Sequence, residues 1–192
     1  MMLIRDAIPD DAQAVTQIHV EAWRTAYAAI LPEAFLASLS VASRQAFWVQ
    51  FLAEKQGNLQ VAMDDGRMLG WINTGPCRDQ SALNGDAEIW ALYALPTVWS
   101  TGVGRQLWVS AQTRLLELGY RQCRLWVLAE NARAIRFYKA AGFERDDTPA
   151  KTIELGGAPV EEIRLSCRMG VRRGLSATSA VNKPETRPVA TG

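Results

Sequence analysis

Residues 86–144 form a continuous pattern that constrains the fold more than any other part of the chain. They read as an apolar strand, a glycine-containing turn, a helix, a second short apolar strand and a second helix. The first strand, residues 87–95, carries one charged residue, Glu88, and ends before Pro96, which has no N–H to donate to a sheet. Because this run is too short to cross a membrane, it predicts a strand buried inside a sheet.

A turn containing Gly102 and Gly104 leads directly into the first of the two helices, which is predicted to end near Gly119. The start of a helix leaves backbone N–H groups unpaired, and the helix dipole adds positive partial charge, so this segment can bind an anion. A simple tight turn would give the same pattern. The usual nucleotide motifs do not match: no Gly-Lys-Ser/Thr is present, and Leu107 occupies the place of the third glycine of a dinucleotide site.

The second strand and helix supply a further motif. Residues 125–128 are apolar, Asn131 is well placed to cap the helix that follows, and Gly142 is well placed to end it. Tyr138 belongs to the apolar stripe of this helix, so its side chain is expected on the buried side, where the hydroxyl needs a partner.

In this order and spacing, the motifs resemble the GNAT superfamily of acyl-CoA-dependent N-acetyltransferases. The resemblance covers about residues 2–168. It implies an α/β fold with a mixed, mostly antiparallel sheet of about six to seven strands, a splay between two central parallel strands, and about four flanking helices. The residues that carry it are 88–96, Gly102-Val103-Gly104-Arg105, 131–143, Ile4-Arg5-Asp6-Ala7 and 23–27.

The resemblance implies acetyl-CoA as co-substrate. Backbone N–H groups of residues 99–105 would hold its pyrophosphate, and backbone groups at the splay would bind its pantetheine arm, with the Tyr93 N–H also steadying the oxyanion. The chain departs from the usual family pattern at Trp99, where Gln or Arg is common, and at Ser100, where Gly is common. The residues expected to contact the coenzyme are Leu92, Tyr93, Ala94, Trp99, Ser100, Thr101, Gly102, Val103, Gly104, Arg105, Asn131, Arg133 and Arg136.

Two residues are candidates for proton transfer. A carboxylate in an apolar strand is a better proton acceptor near neutrality than an exposed one, so Glu88 is the candidate base for the amine; the alternative is that it only pairs with a neighbouring arginine. The family match makes Tyr138 the candidate acid for the leaving sulfur; the alternative is a core tyrosine bonded to a carbonyl.

The opening helices are aromatic and, by the resemblance, overlie the acceptor end of the cleft. Trp23, Tyr27 and Phe35 are therefore candidate substrate contacts, although aromatic residues at this spacing are also common in plain cores. Because these helices would close over a small amine more readily than admit a peptide, a small-molecule primary amine is the favoured acceptor. Protein lysines or N-termini, and a non-catalytic acyl-CoA-binding regulatory domain, stay open as alternatives. Asp146 and Asp147 raise a polyamine or an aminoglycoside as one option.

Composition excludes other classes of partner. The net charge of +1 and the pI near 7.7 give no electrostatic case for nucleic acid or an anionic membrane. The three cysteines lack metal-ligand spacing, so no metal site is expected. They also suit a reducing compartment, and with no apolar signal core at the N-terminus the expected location is cytoplasmic.

The domain organisation follows from length and from one change in composition. With 48% hydrophobic residues, the chain can bury the core of a single domain, predicted over residues 2–169. Residues 170–192 are rich in Ser, Thr, Pro and Ala without periodicity, which predicts a disordered tail. A homodimer is expected only because dimers are common in the family.

Overall fold

The computed structural model describes residues 1–79, 82 and 85–170. Within these residues, eight strands form one sheet and five α-helices pack against it. The predicted disordered tail lies outside the described residues, apart from Gly170.

Over residues 86–144, the elements follow the predicted order of strand, helix, strand and helix. The strands are β1 (Leu3–Asp6), β2 (Asn58–Asp64), β3 (Arg67–Pro76), β4 (Asp86–Ala94), β5 (Gln122–Leu128), β6 (Glu144–Arg145), β7 (Lys151–Leu155) and β8 (Ala158–Arg168). The helices are α1 (Ala12–Ala26), α2 (Glu33–Ser38), α3 (Val41–Glu54), α4 (Val103–Glu117) and α5 (Ala132–Ala140). Short 3₁₀ turns precede α1 and follow β4, at Pro9–Asp11 and Pro96–Val98.

The sheet runs in the order β1-β2-β3-β4-β5-β8-β6, with β7 paired to β8. Every pairing is antiparallel except that of β4 with β5. The hairpin between β2 and β3 turns through Asp65 and Gly66, both with positive φ, as a tight two-residue hairpin turn requires. The mixed sheet and its central parallel pair confirm the predicted fold class. The sheet has more strands than the six to seven expected, and one addition is the two-residue β6. The fifth helix arises because the chain breaks between α2 and α3.

The two central parallel strands pair only at their beginnings and then separate. Beyond Glu88 and Arg124 no further pair joins them, so the carboxyl half of β4 and that of β5 diverge. This divergence is the predicted splay. It opens the sheet in its middle and leaves backbone groups of β4 without partners on the β5 side. The register is Asp86 with Gln122, Ala87 with Cys123, and Glu88 with Arg124.

A β-bulge in β4 decides which side chains reach each face of the sheet. Asn73 of β3 pairs with Ala91 and Thr74 pairs with Ile89, so Trp90 is the extra residue. Past the bulge, Leu92 packs with the core under α4 and α5, whereas Tyr93 packs with the core under α1 and α3.

Each face of the sheet carries its own core. One core includes Leu107, Leu115 and Phe143 and lies under α4 and α5. The other includes Val15 and Trp71, whose indole N–H donates to the Val15 carbonyl at 3.1 Å. Among the described residues, no helix has the length and apolar character needed to cross a membrane.

Candidate active site

A cleft of about 680 Å³ opens where β4 and β5 separate. Its walls come from both sides of the sheet, and its charged residues are sorted by side. Arg105, Arg133 and Arg136 line it on the α4 and α5 side. Glu162 of β8 lines it on the side of α1. The cleft can therefore hold an anion at one end and a cation at the other.

The start of α4 presents unpaired backbone donors to the cleft. The first backbone bond of the helix joins the Gln106 N–H to the Gly102 carbonyl at 3.0 Å. Within the part of the chain that the structure describes, the N–H groups of Val103, Gly104 and Arg105 have no acceptor. Together with the helix dipole, these donors form an anion-binding site.

The side chains of residues 100–104, at and before the start of α4, do not all face the cleft. Ser100, Gly102 and Gly104 line the cleft. The Thr101 hydroxyl instead donates to the Val98 carbonyl at 2.7 Å, and the Val103 side chain is buried in the core. Any contact of these last two residues with a coenzyme would therefore come from their backbone groups.

Ser100 has a φ of 63°, in the left-handed region that disfavours residues with a Cβ. We expect Ser100→Gly to raise the free energy of unfolding by up to about 1 kcal/mol, because relief of this strain exceeds the added chain entropy of glycine. Ser110→Gly, in the middle of α4, should lower it by about 0.5 kcal/mol. Chemical denaturation of both variants measures the two changes in the free energy of unfolding, which should have opposite signs. An equal decrease in both variants would contradict the strain argument.

Trp99 and Arg133 form a stacked pair at the mouth of the anion-binding end. The indole N–H of Trp99 donates to the Ala94 carbonyl at 2.8 Å, and the Arg133 guanidinium lies 3.4 Å from the centre of the indole ring. Burial, and then the nearby Arg136, lower the pKa of Arg133. Because Arg133 forms no ion pair with any described carboxylate, its charge is available for a phosphate.

The splayed part of β4 forms the floor of the cleft. Leu92, Tyr93 and Ala94 all line it, beyond the point at which pairing with β5 ends. On the other side of the cleft, Asn131 caps α5 as predicted: its side-chain oxygen accepts from the Ala134 N–H at 3.1 Å. The sequence motifs on β4 and α5 thus face each other across the same space.

Tyr138 lies on the cleft wall and is 9% exposed. Among the described residues, its hydroxyl has no hydrogen-bond partner, so the carbonyl bond considered as an alternative is not formed. Burial, and then the neighbouring Tyr93, raise its pKa well above the usual value. The phenol therefore keeps its proton and can donate it to a group in the cleft.

Glu88 is buried beside the cleft but does not line it. Its carboxylate accepts from the Arg78 side chain at 2.6 and 3.3 Å and from the Arg78 backbone N–H at 2.9 Å. This is the arginine pairing that the sequence left open as the alternative to a catalytic base. The base role of Glu88 stays a prediction, and the contacts in the structure do not favour it.

The aromatic residues predicted for the acceptor site are placed differently from one another. Trp23 and Tyr27 line the cleft, with ring centres 5.1 Å apart. Phe35 does not line it; its ring lies behind Trp23, with centres 6.4 Å apart, and against Gly156 in the turn between β7 and β8. Direct substrate contact by Phe35 is therefore not supported by its position.

Two of the lining residues that were not singled out from the sequence, Trp126 and Glu162, bear polar groups on the acceptor side. Trp126 of β5 has its indole N–H bonded to both oxygens of Asp79, at 3.0 and 3.2 Å, and the Lys151 ammonium lies 3.3 Å from its ring centre. Glu162 of β8 is partly buried, and burial raises its pKa. Only the register of β8 shows that Glu162 faces the cleft, since neighbouring residues of a strand point to opposite faces.

Comparison with known proteins identifies N-acetyltransferases as relatives of this chain. Residues 13–143 match the acetyltransferase (GNAT) family. The N-acetyltransferase YuaI of Bacillus subtilis, itself uncharacterised, is 30% identical over 86% of this chain and 92% of its own length. A spermidine N(1)-acetyltransferase of Thermoplasma acidophilum is 25% identical over 76% of this chain and 89% of its own length.

Solved structures agree with the fold. The PaiA N-acetyltransferase of Thermoplasma acidophilum, crystallised in complex with coenzyme A, superimposes with a TM-score of 0.70 at 20% identity, covering 88% of this chain and 99% of that one. The family match spans both central motifs, and the sheet separates between β4 and β5 as expected. The chain belongs to the acetyltransferase (GNAT) family.

Proposed function

We propose that the protein transfers the acetyl group of acetyl-CoA to the primary amine of a small molecule, by direct attack in a ternary complex. The observation that carries the proposal is the separation of charge in the cleft. Three arginines and the unpaired amides of α4 suit the phosphates of the coenzyme, while a carboxylate on the far side suits an ammonium group.

The donor would occupy the α4 and α5 side of the cleft. Its pyrophosphate would lie against the N–H groups of Val103, Gly104 and Arg105, with Arg133 and Arg136 near its other phosphates. The pantetheine arm would then run along residues 92–94, where the backbone of β4 lacks a neighbour. This places the thioester at the splay, between Tyr93 and Tyr138.

In the reaction, the neutral amine attacks the thioester carbonyl carbon, and the carbon–sulfur bond breaks as the amide forms. A backbone N–H on the open side of β4, that of Leu92 or Ala94, would stabilise the oxyanion, a donor type worth about 3 kcal/mol. The Tyr93 N–H that the resemblance implied points to β3 instead, because Leu95, two residues further along, donates its N–H to that strand. The hydroxyl of Tyr138 would give its proton to the departing thiolate. No acyl-enzyme is required, because the amine reaches the donor directly.

A small acceptor is favoured by the shape of the acceptor side. Trp23 and Tyr27 stand at the end of α1 and cover that part of the cleft, which leaves room for a small body more readily than for a peptide. The spermidine acetyltransferase among the relatives also acts on a small amine. A cytoplasmic location and a homodimer remain predictions.

The proposal is tested by incubating the purified protein with acetyl-CoA and a panel of small amines and peptides, while following free thiol and identifying acetylated products by mass. Calorimetry measures coenzyme binding independently. We expect binding, and thiol release that depends on small amines. Binding without release would indicate a non-catalytic acyl-CoA-binding domain, and release with peptides alone would indicate a protein acetyltransferase.

A further inference from the structure

Glu162 is the only acidic residue lining the cleft within the described part of the chain. Its side chain forms no hydrogen bond or ion pair with any described residue. A partly buried carboxylate without a partner is costly to keep in a folded protein. Because Glu162 lines the cleft, we expect a cation that is not part of the chain to pair with its carboxylate there.

The basic residue nearest in the sheet is committed elsewhere. Lys151 of β7 pairs in register with Glu162, yet its ammonium lies 3.4 Å from the Asp79 carboxylate and 3.3 Å from the centre of the Trp126 ring. Because Lys151 is held by these two groups, the Glu162 carboxylate remains open to the cleft.

The surroundings of Glu162 are apolar and aromatic. Leu128 is its register partner on β5, and Trp23, Tyr27, Trp126 and Ile153 line the same side of the cleft. Rings of this kind bind both the hydrocarbon body of an amine and, through their electron-rich faces, its ammonium group. This side of the cleft thus offers a single negative charge and an otherwise apolar wall.

The other acids near this side are already neutralised. Asp146 accepts from the Arg164 side chain at 2.7 Å, and Asp79 is shared by Trp126, Arg164 and Lys151. A polyamine would bring two or more ammonium groups to a cleft with one available carboxylate. The second ammonium would then have no carboxylate partner, and contact with an aromatic face would offset only part of the cost of removing it from water.

We propose that the acceptor is a monoamine with an apolar or aromatic body, and that Glu162 binds its ammonium group and accepts one of its protons. This inference rests on the proposed acetyl transfer and names the substrate class of the same site. It also assigns the proton acceptor to β8 rather than to Glu88, whose carboxylate is bound by Arg78.

In the proposed reaction, every proton and every electron pair that moves has an acceptor. The ammonium gives one proton to Glu162, and the nitrogen lone pair then forms the bond to the thioester carbonyl carbon. The carbon–sulfur bond breaks, its electron pair leaves with sulfur, and the thiolate takes the phenolic proton of Tyr138. The nitrogen loses a second proton, which restores the phenol, and Glu162 returns its proton to solvent.

The first test compares Glu162→Gln with Glu161→Gln. Glu161 is the matched control because it is the adjacent acid of β8, is exposed and points to the other face of the strand. We expect Glu162→Gln to lower kcat/KM for pentylamine by about 10- to 100-fold, the range for loss of a hydrogen bond to a charged group. Its dissociation constant for acetyl-CoA should stay near wild type and its melting temperature should not fall, while Glu161→Gln should behave as wild type. Equal kcat/KM for both variants would overturn the proposal.

The second test uses two amines of equal length. Pentylamine and 1,4-diaminobutane differ in a methyl group exchanged for an ammonium, so their ratio of kcat/KM isolates the cost of the second charge. We expect pentylamine and phenethylamine to be preferred at least about tenfold. Preference for 1,4-diaminobutane or spermidine would overturn the monoamine assignment while leaving acetyl transfer intact.

A failure of the proposed acetyl transfer can be distinguished from a failure of the proposed amine site. If no amine releases thiol, pentylamine is titrated calorimetrically into the protein–coenzyme A complex. Binding that is lost in Glu162→Gln but kept in Glu161→Gln would support the amine site and refute the transferase, whereas absence of binding would overturn both.

Discussion

Tyr138→Phe is expected to lower kcat by about 10²-fold or more, within the range typical of general acid–base catalysis. The thiolate leaves without a proton donor in the variant, while the ring that packs against Phe137 and Phe143 is kept. Folding and coenzyme binding should therefore be unchanged. The raised pKa of Tyr138 adds a second expectation: wild-type kcat should show no decline due to phenol ionisation up to about pH 9.

The measurement is steady-state kinetics from pH 6 to 9 with the most active amine, alongside calorimetric titration of acetyl-CoA. Tyr120→Phe is a suitable control, because Tyr120 is a partly buried tyrosine that packs against the α4 and α5 core outside the cleft. An unchanged kcat for Tyr138→Phe at every pH would refute the acid role. A weakened coenzyme affinity of similar size would show that the hydroxyl serves binding instead.

Acidification from pH 7 to about pH 4.5 is expected to destabilise the protein through His19. Both ring nitrogens of His19 are buried without hydrogen-bond partners, and the ring stacks on Tyr93 with centres 5.0 Å apart. Burial, and then the charge of Arg44, lower its pKa from 6.5 to about 4. Between these values the unfolded chain binds a proton that the folded protein does not, so the free energy of unfolding falls as pH falls.

The slope reaches about 1.4 kcal/mol per pH unit, which amounts to about 2 kcal/mol between pH 7 and pH 4.5. Urea denaturation at pH 7.0, 5.5 and 4.5 measures it, and His19→Phe is the reference because it removes the ionisable group and keeps an aromatic ring. The raised pKa of Glu162 acts in the opposite direction, so the difference between wild type and variant is the relevant quantity. Parallel curves for the two proteins would contradict the prediction.

The fold was predictable because its signals are local. The apolar run of β4, the glycines before α4 and the Asn131 cap of α5 each lie within a short stretch of sequence, and their order is characteristic. The two-residue β6 has no such signal, since two residues show no periodicity. The break between α2 and α3 also has no clear signal, because the apolar residues on both sides keep a helical spacing.

The site was predictable only in part, because side-chain direction depends on contacts between distant segments. Tyr138 reaches the cleft because α5 follows its apolar stripe, as predicted. Glu88 is bound by Arg78, ten residues earlier, once the end of β3 has folded beside β4. Glu162 was missed because two consecutive acids on a strand give no indication of which one faces inward until the register with β5 is known.

Because β4 and β5 pair only at their beginnings, few backbone hydrogen bonds hold the two halves of the sheet together. Only three residue pairs join the first four strands of the sheet to the remaining four, so this seam depends on side-chain packing more than its neighbours do. A pantetheine arm bonded to the exposed edge of β4 would act there as a substitute strand. The amide hydrogens of Leu92 and Ala94, which face the open side of β4, should consequently exchange with solvent more slowly when coenzyme is present, and the melting temperature should rise with its concentration.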